Sequence, residues 1–257
     1  MVREDLPPVG GYVLAGGKSS RMGRDKALLQ IGGKPMVEHA VTKLRRLCAD
    51  VNILGTEPEL EGYAPLVRDV HPGCGPMSGI EAALLHSRYE WNLILPVDMP
   101  FLPTRFLDDW IWSTLHKRSR LAKWLSFWRP ECIDEIRISM VSVDAAPQPA
   151  LLIIHREIAP YLTRALERGE FKLLTTLESA AKDIAAKTKT KEQRVFLNMQ
   201  WDDPRAPEVK GSIDSWRISV KTDSWRIPVK EQPRWFANLN TPEELAEAGR
   251  HLDALDT

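Results

Sequence analysis

Arg21, Arg24 and Lys26 follow closely on the paired glycines of Tyr12-Val13-Leu14-Ala15-Gly16-Gly17. Glycines let backbone N–H groups approach an anion, and a helix start after them adds its positive end. Arg21 and Lys26 are suited to neutralising a polyphosphate there. The familiar phosphate patterns do not fit. Gly23 is followed by Arg24-Asp25 where a P-loop has Gly-Lys-Ser/Thr, and Gly16-Gly17-Lys18 breaks the Gly-x-Gly-x-x-Gly dinucleotide pattern. On composition alone, a phosphate loop and a glycine turn with surface charges both stay open.

Asp98 ends the apolar run Trp91 to Val97 and precedes Met99-Pro100. Asp is rarely buried without a partner. Mg²⁺ takes one or two carboxylates together with substrate phosphates, so Asp98 is a candidate metal ligand, with a turn cap as the alternative. Pro72-Gly73-Cys74-Gly75-Pro76-Met77-Ser78-Gly79 offers a glycine-rich turn before a helix. It either walls a second anion pocket or is a plain turn. The histidines at 39, 71, 86, 116, 155 and 251 lack zinc spacing, and no Gly-x-Ser-x-Gly elbow is present.

The elements that must hold these residues alternate. Gly11 to Ala15 reads as a buried strand ended by Gly16-Gly17. Lys34 to Cys48 carries Met36, Ala40, Leu44 and Leu47 at helical spacing. Asp50 to Gly55 is a second strand and Pro65 to Val70 a short third. Ser78 is the expected N-cap of a helix through Ser87. Trp91 onward is a strand entering a Pro-punctuated loop. Such alternation gives an α/β fold, a mostly parallel central sheet with helices on both faces, in which ligands bind outside the carboxyl ends of the strands. Gly16, Asp69 and Asp98 all fall at such ends.

Further on, Arg137 to Arg156 reads as two strands around a Pro-rich turn, and Glu157 to Lys187 as helices broken at Gly169. Thr188 to Arg194 reads as a solvated polar patch. The near-copies Asp214-Ser-Trp-Arg-Ile-Ser-Val-Lys and Asp223-Ser-Trp-Arg-Ile-Pro-Val-Lys alternate like half-buried strands. They read as a duplicated hairpin or edge strands, with Pro228 confining the second to an edge; a Trp-Arg binding arm is the alternative.

The chain has 257 residues, which suits one α/β domain or a domain with an added lobe. We expect a single domain, with a nucleotide-binding half over about 10–110, an acceptor half over about 111–257, and an insertion over about 187–234. Its 35 Lys and Arg balance 35 Asp and Glu, so no global field attracts nucleic acid or an anionic membrane, and any anion site must be local. Three cysteines without a CxxC pair suit a reducing cytoplasm. No apolar run reaches a membrane span, and the acidic, Pro-containing opening residues read as a loose lead-in and not a signal peptide.

The set Leu14-Ala15-Gly16-Gly17, Arg21-Met22-Gly23 and Asp25-Lys26 resembles the signature loop of nucleotidyltransferases that make nucleotide-activated cofactors and sugars. The match is closest to the molybdenum cofactor guanylyltransferase family. It continues through Asp69, Pro72 to Pro76 with Gly79-Ile80, Asp98 to Pro103, Pro147-Gln148-Pro149, and Phe236 to Glu243. The resemblance implies a Rossmann-like enzyme that transfers GMP from GTP to molybdopterin and releases pyrophosphate. It implies nucleotide contacts at Leu14, Ala15, Gly16, Gly17, Lys26, Asp69 and Asp98, with Mg²⁺ on Asp98. Arg21, Lys26 and Asp98 take the catalytic roles, and Gly75, Gly79, Asn238 and Asn240 the acceptor side. Asn240 to Glu243 also reads as a helix start with Thr241 as cap. The family uses a polar residue at the end of the second strand, which here reads Leu54-Gly55-Thr56 after Asn52. GTP and molybdopterin are the implied substrates, and molybdoenzymes or their chaperones the implied partners.

Two rivals stand beside this reading. Cytidylyltransferases of related fold read Leu-Ala-Ala-Gly, whereas Gly16 in third place and Asp25 before Lys26 favour guanine. A non-catalytic nucleotide-sensing module would not need Arg21, Lys26 and Asp98 together.

Overall fold

The protein is described here from a computed structural model, over residues 6–16, 25–116, 136–143, 146–201 and 235–255. Strand β1 (Val9–Leu14) is fully buried. After it come a short hairpin, β2 (Gln30–Ile31) with β3 (Lys34–Pro35), and helix α1 (Met36–Leu47). The chain then forms β4 (Asp50–Leu54), β5 (Leu66–Val67), α2 (Pro76–His86), β6 (Trp91–Pro96) and α3 (Thr104–Leu115). The later part supplies β7 (Ile138–Val143), β8 (Ala146–His155), α4 (Ala159–Glu167), α5 (Leu173–Thr188), a single turn α6 (Glu192–Val195), β9 (Phe196–Trp201) and α7 (Pro242–Ala248).

Seven strands make one sheet in the order β5-β4-β1-β6-β8-β7-β9. β5, β4, β1 and β6 are mutually parallel, and β7 pairs in parallel with β9. β8 runs antiparallel to both of its neighbours. The expected mostly parallel α/β sheet is therefore what forms. Strand alternation divides the apolar residues between two faces. Val9, Val13, Leu93, Leu95 and Ile153 join α1 and α3 in one core, while Tyr12, Leu14, Ile94, Leu152 and Ile154 join α2, α4 and α5 in the other.

Several local expectations change. Ser78 is not the cap of α2. The helix starts three residues earlier, with Gly75 as N-cap at φ 74° and Pro76 in the first turn. Proline suits that position because its missing N–H would have no intrahelical partner. The Pro-rich stretch at 147–149 lies inside β8, opposite an irregularity in β7 between Met140 and Ser142, and is not the turn itself. The polar patch after α5 closes as α6 and leads into β9, an outer strand that the sequence reading did not anticipate. Residues 187–201 of the expected insertion thus finish α5 and extend the sheet, while 202–234, with both copies of the duplicated segment, lie outside the described residues. The break at Gly169 is present, at φ 73°.

The C-terminal segment returns to the sheet through aromatic packing. Phe236 meets Phe106 of α3 edge-on, with ring centroids 5.4 Å apart, and Trp235 packs on the same ring. Both C-terminal rings are buried. Beyond them Thr241 caps α7 with a full capping box to Glu244. Among the described residues, no helix is long and apolar enough to cross a membrane. Cys48 and Cys74 are free thiols, and burial pushes Cys48 up to about 12.

Candidate active site

The connection from β1 through α1 leads to β4 on one side of β1, whereas the connection from β5 through α2 leads to β6 on its other side. This reversal makes the carboxyl ends of β1 and β6 a topological switch point, the place where open α/β sheets bind ligands. The two ends are tied together: Val97 N–H donates to the Leu14 carbonyl at 3.1 Å. Ala15 and Gly16 N–H both donate to Leu54 O, at 3.0 and 2.9 Å, so the loop after β1 is also anchored on β4. Gly16 is already exposed.

Lys26 enters from a short 3₁₀ turn, Lys26–Leu28. The Asp25 carboxylate caps that turn by accepting from Ala27 N–H at 2.9 Å. With Asp25 so used, the Lys26 ammonium spans 72 positions of sequence to Asp98 Oδ2 at 2.7 Å. It also donates to Asn240 Oδ1 at 2.6 Å, 214 positions away. The Lys26 and Asp98 side chains are only 15% and 22% exposed, so this pair is far less screened than an ordinary surface ion pair. Leu239 N–H donates to the Asp98 carbonyl at 3.1 Å. Three distant stretches, the loop after β1, the end of β6 and the C-terminal motif, therefore converge on one ammonium–carboxylate–amide cluster. Asn240 Nδ2 reaches back to Asn238 O at 3.4 Å. Glu244 accepts from both Asn240 N–H and Thr241 N–H, which fixes where the Asn240 side chain starts.

Asp69 lies just past β5, two strands from β1. Burial pushes its carboxyl above the ordinary aspartate value, and the charge of Glu81 adds to it. A carboxylate so deprived of water is a good acceptor for neutral N–H or O–H donors. Gly79 lets α2 close over this corner: a Cβ there would stand 3.0 Å from Leu14 Cδ1 and 3.6 Å from Asp69 Oδ1. Ser78 lies within the helix, and its hydroxyl donates to the His71 carbonyl at 2.6 Å. Fully buried Glu81 receives the Thr163 hydroxyl at 2.5 Å and lies 2.7 Å from His71 Nδ1. These contacts pin the turn carrying Gly75 to α2 and α4. Thr56, beyond β4, is exposed, whereas Asn52 is buried within the strand.

Of the residues singled out from sequence, Leu14, Ala15, Gly16, Lys26, Asp98 and Asn240 come together around the switch point. Asp69 and Gly79 meet beside Leu14. Gly17 and Arg21 lie outside the described residues. Sequence reasoning placed Asn240 on the acceptor side and missed its bond to Lys26, since nothing local couples positions so far apart. It also missed Lys43, whose ammonium is buried beneath the turn after Asp98 and donates to Pro100 O and to Leu102 O, the latter at 2.8 Å. A signal for Lys43 existed: it falls on the stripe of Met36, Ala40 and Leu47, which is otherwise apolar.

Comparison with known proteins places this geometry. The profile of the MobA-like NTP transferase domain matches residues 11–183. The molybdenum cofactor guanylyltransferase of Serratia proteamaculans (strain 568) is 33% identical over 209 residues, covering 78% of this chain and 95% of that protein. A probable molybdenum cofactor guanylyltransferase of Carboxydothermus hydrogenoformans is 34% identical over 177 residues, covering 63% of this chain and 87% of that protein. In fold, the chain is similar to molybdopterin-guanine dinucleotide biosynthesis protein A from Archaeoglobus fulgidus, with TM-score 0.60 at 20% identity over 96% of this chain and 100% of that one.

Proposed function

Because the chain belongs to the MobA-like NTP transferase family, we infer that it transfers GMP from GTP to molybdopterin and releases pyrophosphate. The observation that carries this reading is the Lys26–Asp98–Asn240 cluster at the switch point, in a chain whose relatives are named guanylyltransferases.

The terminal phosphate oxygen of molybdopterin attacks the α-phosphorus of GTP. A new P–O bond forms, the bond between the α-phosphorus and the bridging oxygen breaks, and its electrons leave with pyrophosphate. The attacking phosphate is already anionic at neutral pH, so no strong general base is needed, and positioning with charge neutralisation carries the step. Gly16, exposed at the end of the buried Leu14-Ala15 stretch, faces the phosphates. Arg21 and Lys26 offset their charge, and Asp69 accepts from neutral donors of the nucleoside.

The donor set fits Mg²⁺. Asp98 is a hard-oxygen ligand at a strand end and already holds a cation, the Lys26 ammonium. Mg²⁺ needs only one or two carboxylates from the protein and takes the rest of its shell from substrate phosphates and water. When bound, the ion supplies charge neutralisation at the triphosphate. With the ion on Asp98, Lys26 would be left to pair with phosphate oxygens, its ammonium kept within reach by Asn240. On the acceptor side, Asn238 and Asn240 offer amide donors and the turn with Gly75 offers backbone, while Gly79 lets α2 pack close against Leu14 and Asp69.

The test is product formation with molybdopterin, Mg²⁺ and equimolar GTP and CTP. The expected result is the guanine dinucleotide and one pyrophosphate per turnover. Preferential use of CTP would move the chain to the cytidylyltransferases, and GTP binding without pyrophosphate release would make it a sensor. A second expectation concerns Asn240→Ala. Losing one hydrogen bond to a charged group should lower kcat about tenfold, with little change in melting temperature. Unchanged steady-state kinetics would remove Asn240 from the positioning of Lys26.

A further inference from the structure

Lys43 occupies a place in α1 where the helix otherwise buries Met36, Ala40, Leu44 and Leu47, and it is 1% exposed. A methionine or leucine would fill such a place without the cost of dehydrating an ammonium. What the ammonium does there is specific. It donates to the carbonyls of Pro100 and Leu102, two and four residues beyond Asp98. Both belong to the turn that joins the end of β6 to α3, inside which Leu102 N–H donates to Met99 O at 3.3 Å. The turn is thus held on one side by the C-terminal segment, through Leu239 and the Asp98 carbonyl, and on the other by α1, through Lys43.

We propose that Lys43 is a positioning residue for the metal carboxylate: by clamping the two carbonyls that follow Asp98 it fixes the turn from which that carboxylate projects. The proposal rests on the reading of Asp98 as the metal ligand. It has a physical consequence distinct from stability. Without the clamp, the carbonyls of Pro100 and Leu102 must turn to find other donors, which reorients the peptide segment carrying Asp98 even where the sheet stays folded.

The experiment measures equilibrium binding of Mn²⁺ in the presence of GTP and without acceptor, from the electron paramagnetic resonance signal of the free ion. It compares wild type, Lys43→Met, Lys43→Gln and Asp98→Asn in the full chain. GTP binding in EDTA and thermal unfolding are followed alongside. Lys43→Met is expected to weaken Mn²⁺ binding roughly tenfold or more, within the range found for partners of metal ligands, with GTP binding in EDTA unchanged. Glutamine ends one atom short of lysine and can reach one of the two carbonyls, so it should weaken Mn²⁺ binding by about threefold. A folded Lys43→Met protein with wild-type Mn²⁺ affinity and only a lower melting temperature overturns the proposal. If the methionine variant does not fold, the glutamine variant decides: wild-type Mn²⁺ affinity overturns the proposal, and the intermediate loss supports it. Asp98→Asn separates the two levels. If it binds Mn²⁺ like wild type, the metal reading of Asp98 fails, and this proposal with it. If it loses Mn²⁺ while the Lys43 variants keep it, only the role of Lys43 falls.

Discussion

Asp98→Asn is expected to lower metal-dependent turnover by roughly 10³-fold, because an amide can neither offset the charge of a divalent ion nor hold it against water. The substitution is nearly isosteric, and the structure shows why the rest of the site should survive it. The contact that ties the C-terminal segment here, Leu239 N–H to the Asp98 carbonyl, belongs to the backbone. Lys26 keeps Asn240 as a partner and can donate to the amide oxygen. The loss should therefore appear in kcat at saturating GTP and Mg²⁺, with GTP binding in EDTA close to wild type. Turnover within a few-fold of wild type would take the metal away from Asp98.

Lys26→Ala is expected to cut kcat by roughly 10²–10³ at saturating GTP, the usual cost of losing one preorganised donor to developing charge. An ammonium that only bound the ground state would change the apparent affinity for GTP and leave kcat alone. The structure sharpens the prediction in one respect. The ammonium is held between Asp98 and Asn240, at 2.7 and 2.6 Å, so it already stands at the site before nucleotide arrives. Its removal also leaves the Asp98 carboxylate, 22% exposed, without that counter-charge. Some loss of stability should follow, so turnover must be compared at a temperature where circular dichroism shows both proteins folded. Unchanged kcat with a raised KM for GTP would make Lys26 a binding residue, and unchanged kinetics would reduce it to a surface charge.

The parts of this protein that were legible in the sequence are those governed by local periodicity. Buried parallel strands such as Val9–Leu14 and Trp91–Pro96 read as continuous apolar runs because both of their faces are covered. α1 reads from its stripe, and α7 from its Thr-Pro-Glu-Glu start, which the structure realises as a capping box. The start of α2 was misplaced for an equally local reason. Serine is a strong general cap, but Gly75 at positive φ followed by Pro76 begins the helix sooner. β9 was missed because Arg194 to Trp201 alternates only briefly and becomes a strand by pairing with β7, a partner far back in the chain.

The sequence by itself set out the candidates for the chemistry: a glycine loop with cations and a carboxylate at a strand end are residue-type facts, each set by neighbours a few positions away, and the ordered set of motifs narrowed them by resemblance to nucleotidyl transfer. It determined the α/β architecture for the same reason, since helix and strand periods are written locally. Tertiary structure alone decided how the pieces are used. The strand order puts the ends of β1 and β6 side by side. Aromatic packing of Trp235 and Phe236 on Phe106 brings Asn240 to Lys26, and dense packing under the Asp98 turn makes Lys43 a clamp in place of a surface charge. These depend on contacts between positions tens to hundreds of residues apart. Their free energies arise only when the sheet has formed and water has left, so no local pattern records them.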